Sequence, residues 1–383
     1  MPGWGELAVS DGMRKSSRAV ARTFTEYTLS RADVKGGAKE AARSGYDNDV
    51  NILGIETSCD ETSAAVLRDG CDLLSNVIAS QIDLHAKTGG VVPEVASRQH
   101  VTQINAVIAE ALAGAGVGFG DLDGVAVANR PGLLGALLVG VSAAKTLAYA
   151  LKIPLLGVHH IEAHIYANWL VEPDISFPVI CLVASGGHSE IFLVKGHGEY
   201  EILGRTRDDA AGEAFDKSAR LLGLPYPGGV MIDKLAREGG GDPKAVTLPR
   251  AQLGPESLDF SFSGLKTAVL NAHRNPALAS VSLPDWAASV QEAIVDVLVT
   301  KTLRAARRHG VGHILLAGGV AANSRLQTAM RDACAGAELR LTVPPPRLCT
   351  DNAAMIACAG HYHLLAGKVD GLDLDTLASE RLA

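Results

Sequence analysis

A chain of 383 residues, 47% hydrophobic and 20% charged, has material for two ordinary domains with separate cores. Its formal net charge of -7 excludes a protein that holds RNA or DNA by a broad cationic surface alone, because that affinity comes from neutralised phosphates. Six cysteines (Cys59, Cys71, Cys181, Cys334, Cys349 and Cys358) without a CxxC pair, in a chain opening without a secretory signal, argue against a disulfide framework or cysteine zinc site and predict a cytoplasmic protein.

Residues 1–48 are rich in Arg, Ser, Ala and acidic groups without a sustained apolar period, and read as a flexible N-terminal extension. Met13, Arg14 and Lys15 resemble a presequence start, but Glu26, Asp33 and Glu40 speak against one. From Asn51 the pattern changes: 52–55 is a short apolar run, 56–61 a polar turn and 63–67 a second run, together a hairpin. Ile104, Val107, Ile108 and Ala111 give 100–113 helical spacing; 122–128 reads as a buried strand, 134–151 as a helix of small residues and 155–158 as another strand. The hairpin layout then returns, with 178–184 as strand, Ser185, Gly186, Gly187 and His188 as turn and 191–194 as return strand, so the chain looks duplicated. A helix near 208–222, a polar, helical insertion over about 224–283 and a long helix over 284–309 follow. Strand 314–317, helix 322–333, strand 339–342 and helix 352–366 close the pattern. The expected architecture is α/β: one half over 51–175, a second over 176–366, a ligand in the cleft between them and a tail over 367–383. The longest apolar stretches, 133–138 and 179–184, are too short or broken to span a bilayer, so no membrane segment is expected.

The strongest chemical signal is the run His159, His160, Ile161, Glu162, Ala163, His164. One helical turn separates His160 from His164, so both imidazoles can share a metal ion; a pair of capping or surface histidines fits the same spacing. Glu162 stands two residues after His160, not directly after it as in HExxH zinc peptidases, which weakens a protease reading. Asp351, in a loop entering the last helix, can complete a two-histidine, one-carboxylate site for iron or zinc; taken alone, Asp351 or Thr350 reads better as a helix N-cap.

The 41 glycines suggest tight turns, and three of these can offer backbone N–H groups to phosphate: 185–188, Pro227-Gly228-Gly229, and 318–323. Singly each is an ordinary turn; together, beside a duplication, they point to a nucleotide. Asp216 and Asp233 are candidate acceptors for ribose hydroxyls or plain surface acids, whereas Asp208 and Asp209 suit a helix N-terminus. Glu56, Asp60 and Glu61 crowd the first hairpin turn, which is costly unless a cation or a proton transfer uses them. The alternation over 260–266 (FSFSGLK) reads as packing of an inserted helix, with no chemistry assigned.

Eight motifs in order, 55–62 (IETSCDET), 89–98 (GGVVPEVASR), 159–164, 185–188 (SGGH), 208–217 (DDAAGEAFDK), 260–266, 317–323 (AGGVAAN) and 349–352 (CTDN), resemble the tRNA N6-adenosine threonylcarbamoyltransferase family of bacterial TsaD type, once called sialoglycoprotein endopeptidases. The resemblance implies the actin/Hsp70/sugar-kinase (ASKHA) fold, with two duplicated RNase H-like domains around a cleft. It implies transfer of the threonylcarbamoyl group from threonylcarbamoyl-AMP to N6 of adenosine 37 in tRNAs reading codons that start with A, releasing AMP. By the same analogy His160, His164 and Asp351 hold Fe2+ or Zn2+. Val183, Ala184, Ser185, Gly186, Gly187, Asp216, Gly229, Asp233 and Asn323 line the adenylate, where an ATP- or ADP-like nucleotide also fits. Asp60 falls on a residue important for activity, and Asp60 or Glu61 is the expected proton acceptor. The partners implied are tRNA, TsaB-like and TsaE-like subunits and an upstream threonylcarbamoyl-AMP synthase.

Three positions depart from the family pattern. Arg130 stands before Pro131-Gly132-Leu133 where glycine is usual, Val183 replaces a tyrosine of the archaeal and eukaryotic branch, and the ending after Gly367 is acidic and short. The competing functions are a metalloprotease, an ATPase or kinase, and a non-catalytic scaffold.

Overall fold

A computed structural model of the chain describes residues 49–383; the extension expected over 1–48 lies outside the described residues. The first strand, β1 (Asn51–Glu56), is buried at all six residues, so it must be covered on both faces. It pairs antiparallel with β2 (Glu61–Arg68), which pairs antiparallel with β3 (Asp72–Ser80). A short helix α1 (Ile82–Ala86) and the long α2 (Pro93–Ala115) lead to β4 (Gly124–Arg130), α3 (Leu134–Leu151) and β5 (Leu155–His159). β4 pairs parallel with β1 and β5 with β4, giving a sheet of order β3-β2-β1-β4-β5. Helix α4 (His160–Tyr166) starts directly at the end of β5.

The second half repeats this plan. Its strands β6 (Val179–Ala184), β7 (Ser189–Gly196) and β8 (Glu199–Arg205) form an antiparallel meander. After α5 (Ala211–Leu221), α6 (Gly228–Glu238), α7 (Ser263–His273) and α8 (Leu283–His309) comes β9 (His313–Ala317), parallel to β6. Helix α9 (Ser324–Ala335), β10 (Arg340–Thr342), α10 (Pro346–Cys349) and α11 (Ala353–Leu365) follow. The sheet order β10-β9-β6-β7-β8 matches the first sheet strand for strand, with β6 in the place of β1. Two strands, β3 and β8, escape the hydropathy reading because both lie at sheet margins with mostly half-buried or exposed residues, which leaves no apolar run. The insertion over 224–283 contains α6 and α7.

Helix α11 departs from the expected division at 176–366. Although it follows the second half in sequence, it packs on β1, β2, β4 and β5 of the first sheet. Its residues 353–361 are all buried, and an apolar helix of this kind needs cover on every side. Glycines make the approach: a Cβ on Gly54 would lie 2.2 Å from the Ala353 carbonyl oxygen, and one on Gly360 would lie 2.4 Å from Ala126 Cβ. The ending, expected as a separate tail over 367–383, docks on the first half. Asp370 N–H donates to the Leu155 carbonyl at 2.9 Å, Leu377 N–H donates to Asn129 O at 3.1 Å, and the Asp370 carboxylate accepts from Gly157 N–H at 2.7 Å.

One buried cluster joins the halves. Ala126, Ala128, Leu156 and Val158 of the first sheet meet Val179, Cys181, Val183, Phe192 and Leu315 of the second through Ile161 and Ile165 of α4 and Met355 and Cys358 of α11. Helix α3 is long and apolar enough to cross a membrane, with mean hydropathy 1.6. Here it packs on β4 and α2, with Leu137, Val141, Ala144 and Leu147 buried along it. Gly54→Ala is expected to lower the unfolding free energy by about 1–3 kcal/mol through overpacking, read from urea denaturation.

Candidate metal and adenylate site

Helix α4 puts its imidazoles on one side because His160 and His164 are one turn apart. Their ring centroids are 4.6 Å apart and the planes meet at 79°. Asp351 reaches them from the loop between α10 and α11, with Oδ1 3.2 Å from His164 Nε2 and 3.6 Å from His160 Nε2. It is free to do so because Asn352 caps α11, its side-chain oxygen accepting from Met355 N–H at 3.2 Å; the N-cap reading of Asp351 and Thr350 gives way to this. The ligand atoms of the three residues all lie within 4.8 Å of one another.

Glu56, at the end of β1 and fully buried, accepts from His160 Nδ1–H at 2.8 Å and from the Ser58 N–H. That bond turns Nε2 of His160 toward Asp351. Burial pulls His160 down, but Asp351 and then Glu56 outweigh it and hold the imidazole up at about 9. Burial opposes ionisation of Asp351, yet His160 and His164 keep its carboxyl well below the usual range. Burial also lowers His164. Among the described residues no hydrogen bond of good geometry reaches either ring nitrogen of this fully buried residue, although Nε2 lies 3.2 Å from Asp351 Oδ1. Such an orphan costs about 1–3 kcal/mol. A divalent cation between two imidazoles and a carboxylate would relieve it, and two nitrogens with one oxygen suit zinc or ferrous iron with open positions left. Glu56 is the outer carboxylate that commonly orients such a histidine.

The hairpin turn carrying Asp60 and Glu61 is fastened from several sides. His100 Nδ1 lies 2.7 Å from the Thr62 hydroxyl and its Nε2 3.1 Å from the Cys59 carbonyl, while Leu133 N–H donates to Ser58 O at 2.8 Å. Glu61 accepts from the Ser80 hydroxyl at 2.7 Å. Burial, then Asp60 and Asp351, push its carboxyl up to about 8. The close backbone approach in the following loop falls at Gly132, whose Cβ would sit 2.7 Å from Ser58 O. Arg130 turns instead to the chain's ending, pairing with Glu380 and donating to Asn129 Oδ1 at 2.9 Å. Two departures from the family pattern are thus one contact.

The three glycine turns converge through their acids. Val183 and Ala184 end β6, and Ser185 N–H donates to His188 O at 2.8 Å while Ser185 O accepts from Gly212 N–H at 3.1 Å. Gly186 and Gly187 are exposed, with open space where side chains would be. Gly318, at φ 86°, passes Ala184 O so closely that a Cβ would lie 2.4 Å away. Asp216 accepts from Gly228 N–H at 2.7 Å, tying α5 to α6 beside Gly229, and burial raises its carboxyl. Asp233 accepts from Ser324 N–H at 3.2 Å and from its hydroxyl at 2.7 Å. Asn323 caps α9 through Leu326 N–H at 2.9 Å and donates to Gln291 Oε1 at 3.1 Å. The surface-acid reading does not describe Asp216 or Asp233, since both hold backbone amides.

The turns also border the imidazole pair. Burial and then His160 and His164 depress His188 to about 4. Burial and then the charges of Asp60 and Asp216 raise Tyr226, just before the second glycine turn. Asp208 does not serve α5, which starts at Ala211 without a side-chain cap. It accepts from the Ser261 and Ser263 hydroxyls at 2.6 and 2.8 Å and from Phe262 and Ser263 N–H at 2.8 and 3.1 Å. Against burial, these bonds hold it at about 2. The segment 260–266 thereby gains a role beyond packing: it is latched to the loop ahead of α5.

The family model described as TsaD, tRNA N6-adenosine threonylcarbamoyltransferase, matches residues 72–358. A Desulfitobacterium hafniense protein of that name is 58% identical over 339 residues, covering 88% of this chain and 99% of the relative. The chain belongs to the tRNA N6-adenosine threonylcarbamoyltransferase family. Namesakes from Symbiobacterium thermophilum and Bacillus licheniformis are 57% and 55% identical, covering 85% and 86% of this chain and 95% and 98% of theirs. Among solved structures, T. kodakarensis HypF aligns at a TM-score of 0.56 with 17% identity, over 84% of this chain and 48% of that one. Full-length HypF in a phosphate- and nucleotide-bound form gives 0.56 at 14% identity, over 84% and 47%. These two likenesses show the fold, an ASKHA-type α/β architecture of two similar halves. As a member of the threonylcarbamoyltransferase family the chain is a transferase of tRNA modification.

The sequence grouped Glu56 with Asp60 and Glu61 at the hairpin turn, for a cation or a proton transfer, without assigning it a partner; the structure pairs it with His160. Glu56→Gln is expected to weaken divalent-metal binding roughly 10–100-fold, measured by competition with a chromogenic chelator.

Proposed function

We propose that this transferase moves the threonylcarbamoyl group from threonylcarbamoyl-AMP to N6 of adenosine 37 in tRNAs reading codons that begin with A. The reading is carried by the clustering of His160, His164 and Asp351 against the first hairpin, whose Ser58 hydroxyl lies 3.1 Å from His160 Nδ1. In the reaction the N6 amine attacks the carbamoyl carbon, the bond from that carbon to the phosphate oxygen breaks, AMP leaves with the electron pair, and the amine loses one proton.

Each residue has a part in this scheme. The open backbone at Gly186 and Gly187 receives the phosphate, next to Val183, Ala184 and Ser185. Asp216, Gly229, Asp233 and Asn323 line the nucleoside, and the bonds of Asp216 to Gly228, Asp233 to Ser324 and Asn323 to Gln291 hold these side chains in place. Glu61, with Asp60 beside it, takes the N6 proton; a carboxyl held up near 8 is a base matched to neutral solution. A divalent ion, Fe2+ in preference to Zn2+, would be held by His160, His164 and Asp351 and would supply positive charge against the donor's oxygens.

Glu162 speaks against the peptidase alternative, since its carboxylate is taken by Tyr200 and His363. The net charge of -7 argues that TsaB-like and TsaE-like subunits help hold the tRNA, with a threonylcarbamoyl-AMP synthase supplying the donor in the cytoplasm.

Reconstitution with threonylcarbamoyl-AMP and unmodified tRNA tests the scheme. Relative to the parent, His160→Ala and Asp351→Ala are expected to lose roughly 10²-fold or more in single-turnover rate; undiminished modification by both would refute the metal assignment. Glu61 is protonated below its raised value and a base only above it, so the parent rate should climb with pH through about 8. The Glu61→Gln variant should lose that limb of the pH–rate profile.

A further inference from the structure

Helix α4 carries a carboxylate between its imidazoles that the transfer scheme does not use. Glu162 lies two residues from His160 and two from His164, about 200° around the helix from each. Its side chain is 6% exposed on the face turned away from the cation candidates. Tyr200 donates its hydroxyl to Oε1 at 2.8 Å, and His363 Nε2–H donates to Oε2 at 3.1 Å. Burial opposes the charge, yet His363 and then Tyr200 keep the carboxyl below its ordinary value. Tyr200 stands on β8 of the second sheet, and His363 on α11, which lies on the first. Beside this pair Tyr166, at the end of α4, stacks on Tyr362 at 5.1 Å, and Tyr362 stacks on His197 at 3.9 Å.

A helix of seven residues has little rigidity of its own, so its rotation is set by what grips it. With imidazole nitrogens about 6 Å from the axis, a turn of about 10° displaces them by roughly 1 Å, several times the tolerance of about 0.2 Å on metal–ligand distances. The apolar contacts of Ile161 and Ile165 resist displacement but specify rotation poorly, whereas two hydrogen bonds to one buried carboxylate are directional.

We propose that Glu162 is a positioning residue: held by Tyr200 and His363, it fixes the rotation of α4 and with it the distance of His160 and His164 from Asp351, across which the cation would sit. Because Tyr200 stands on the second sheet and His363 on a helix packed against the first, it also ties that distance to the relative placement of the two halves. The inference rests on the proposed metal site.

The test uses the full chain, stripped of metal and titrated with Co2+ alone, comparing the parent with Glu162→Ala, Glu162→Gln and Tyr200→Phe. Folding is checked by circular dichroism, affinity by chelator competition and ligand geometry by the Co2+ d–d absorption band. Glu162→Ala should bind roughly 10–100-fold more weakly with a shifted band, and Tyr200→Phe should show the same change to a smaller degree. Glu162→Gln, which can still accept from Tyr200, should recover part of the loss. In reconstituted transfer, kcat should fall with little change in KM for tRNA. Folded variants with the parent's affinity and band would overturn the inference and leave the metal site standing; a parent that takes up no Co2+ would overturn both. If Glu162→Ala does not fold, Tyr200→Phe decides.

Discussion

At Gly54 the backbone of α11 comes so near β1 that a methyl group would lie 2.2 Å from the Ala353 carbonyl oxygen, and this contact governs where the candidate metal ligands meet. Asn352 caps α11 at that spot, and the Ser63 hydroxyl of β2 accepts from Ala353 N–H at 2.9 Å. The residue just before the cap, Asp351, is thereby delivered to imidazoles that come from the edge strand of the same sheet, where β5 runs into α4. A helix that crosses back from the second half to the first closes the site geometrically and joins the halves in one shared core.

Electrostatics follow from that packing. Burying a carboxylate is unfavourable unless a cation or hydrogen bonds compensate. Four carboxylates around the cleft find different compensation. Glu56 and Asp351 face imidazoles; Asp216 and Asp233 take backbone amides. Burial still raises Asp216 despite its bond, and Glu61 goes further: its Ser80 bond does not offset burial and the neighbouring Asp60, so it holds its proton up to about pH 8. A site with one carboxyl poised beside imidazole-paired neighbours is suited to proton transfer next to a bound cation.

Much of the fold was legible as pattern. The two hairpins, α3, α8 and the strands after them appear where apolar runs and helical spacing indicate them, because buried elements must be apolar. The marginal strands β3 and β8 were not, since half-exposed strands carry no such run, and α6 and α7 were expected only as an insertion of helical character without bounds of their own. Among site residues, the His160–His164 pair has a spacing that fits a shared ligand, although capping or surface histidines fit it too. Glu56 and Asp351 do not, because an acid at a strand end or beside a helix start has ordinary uses, and Asp208 was credited to the wrong helix for the same reason.

By itself, the amino-acid sequence determined the duplicated α/β plan, the glycine turns, the histidine pair and, through its ordered motifs, the family. Those are local properties: periodicity, turn chemistry and residue spacing survive without knowledge of the rest of the chain. Tertiary structure alone decided that α11 joins the first sheet, that Arg130 answers Glu380, and which partner each acid takes. These choices depend on which segments, far apart in sequence, fill the same space, and close packing settles them only when the whole chain is folded.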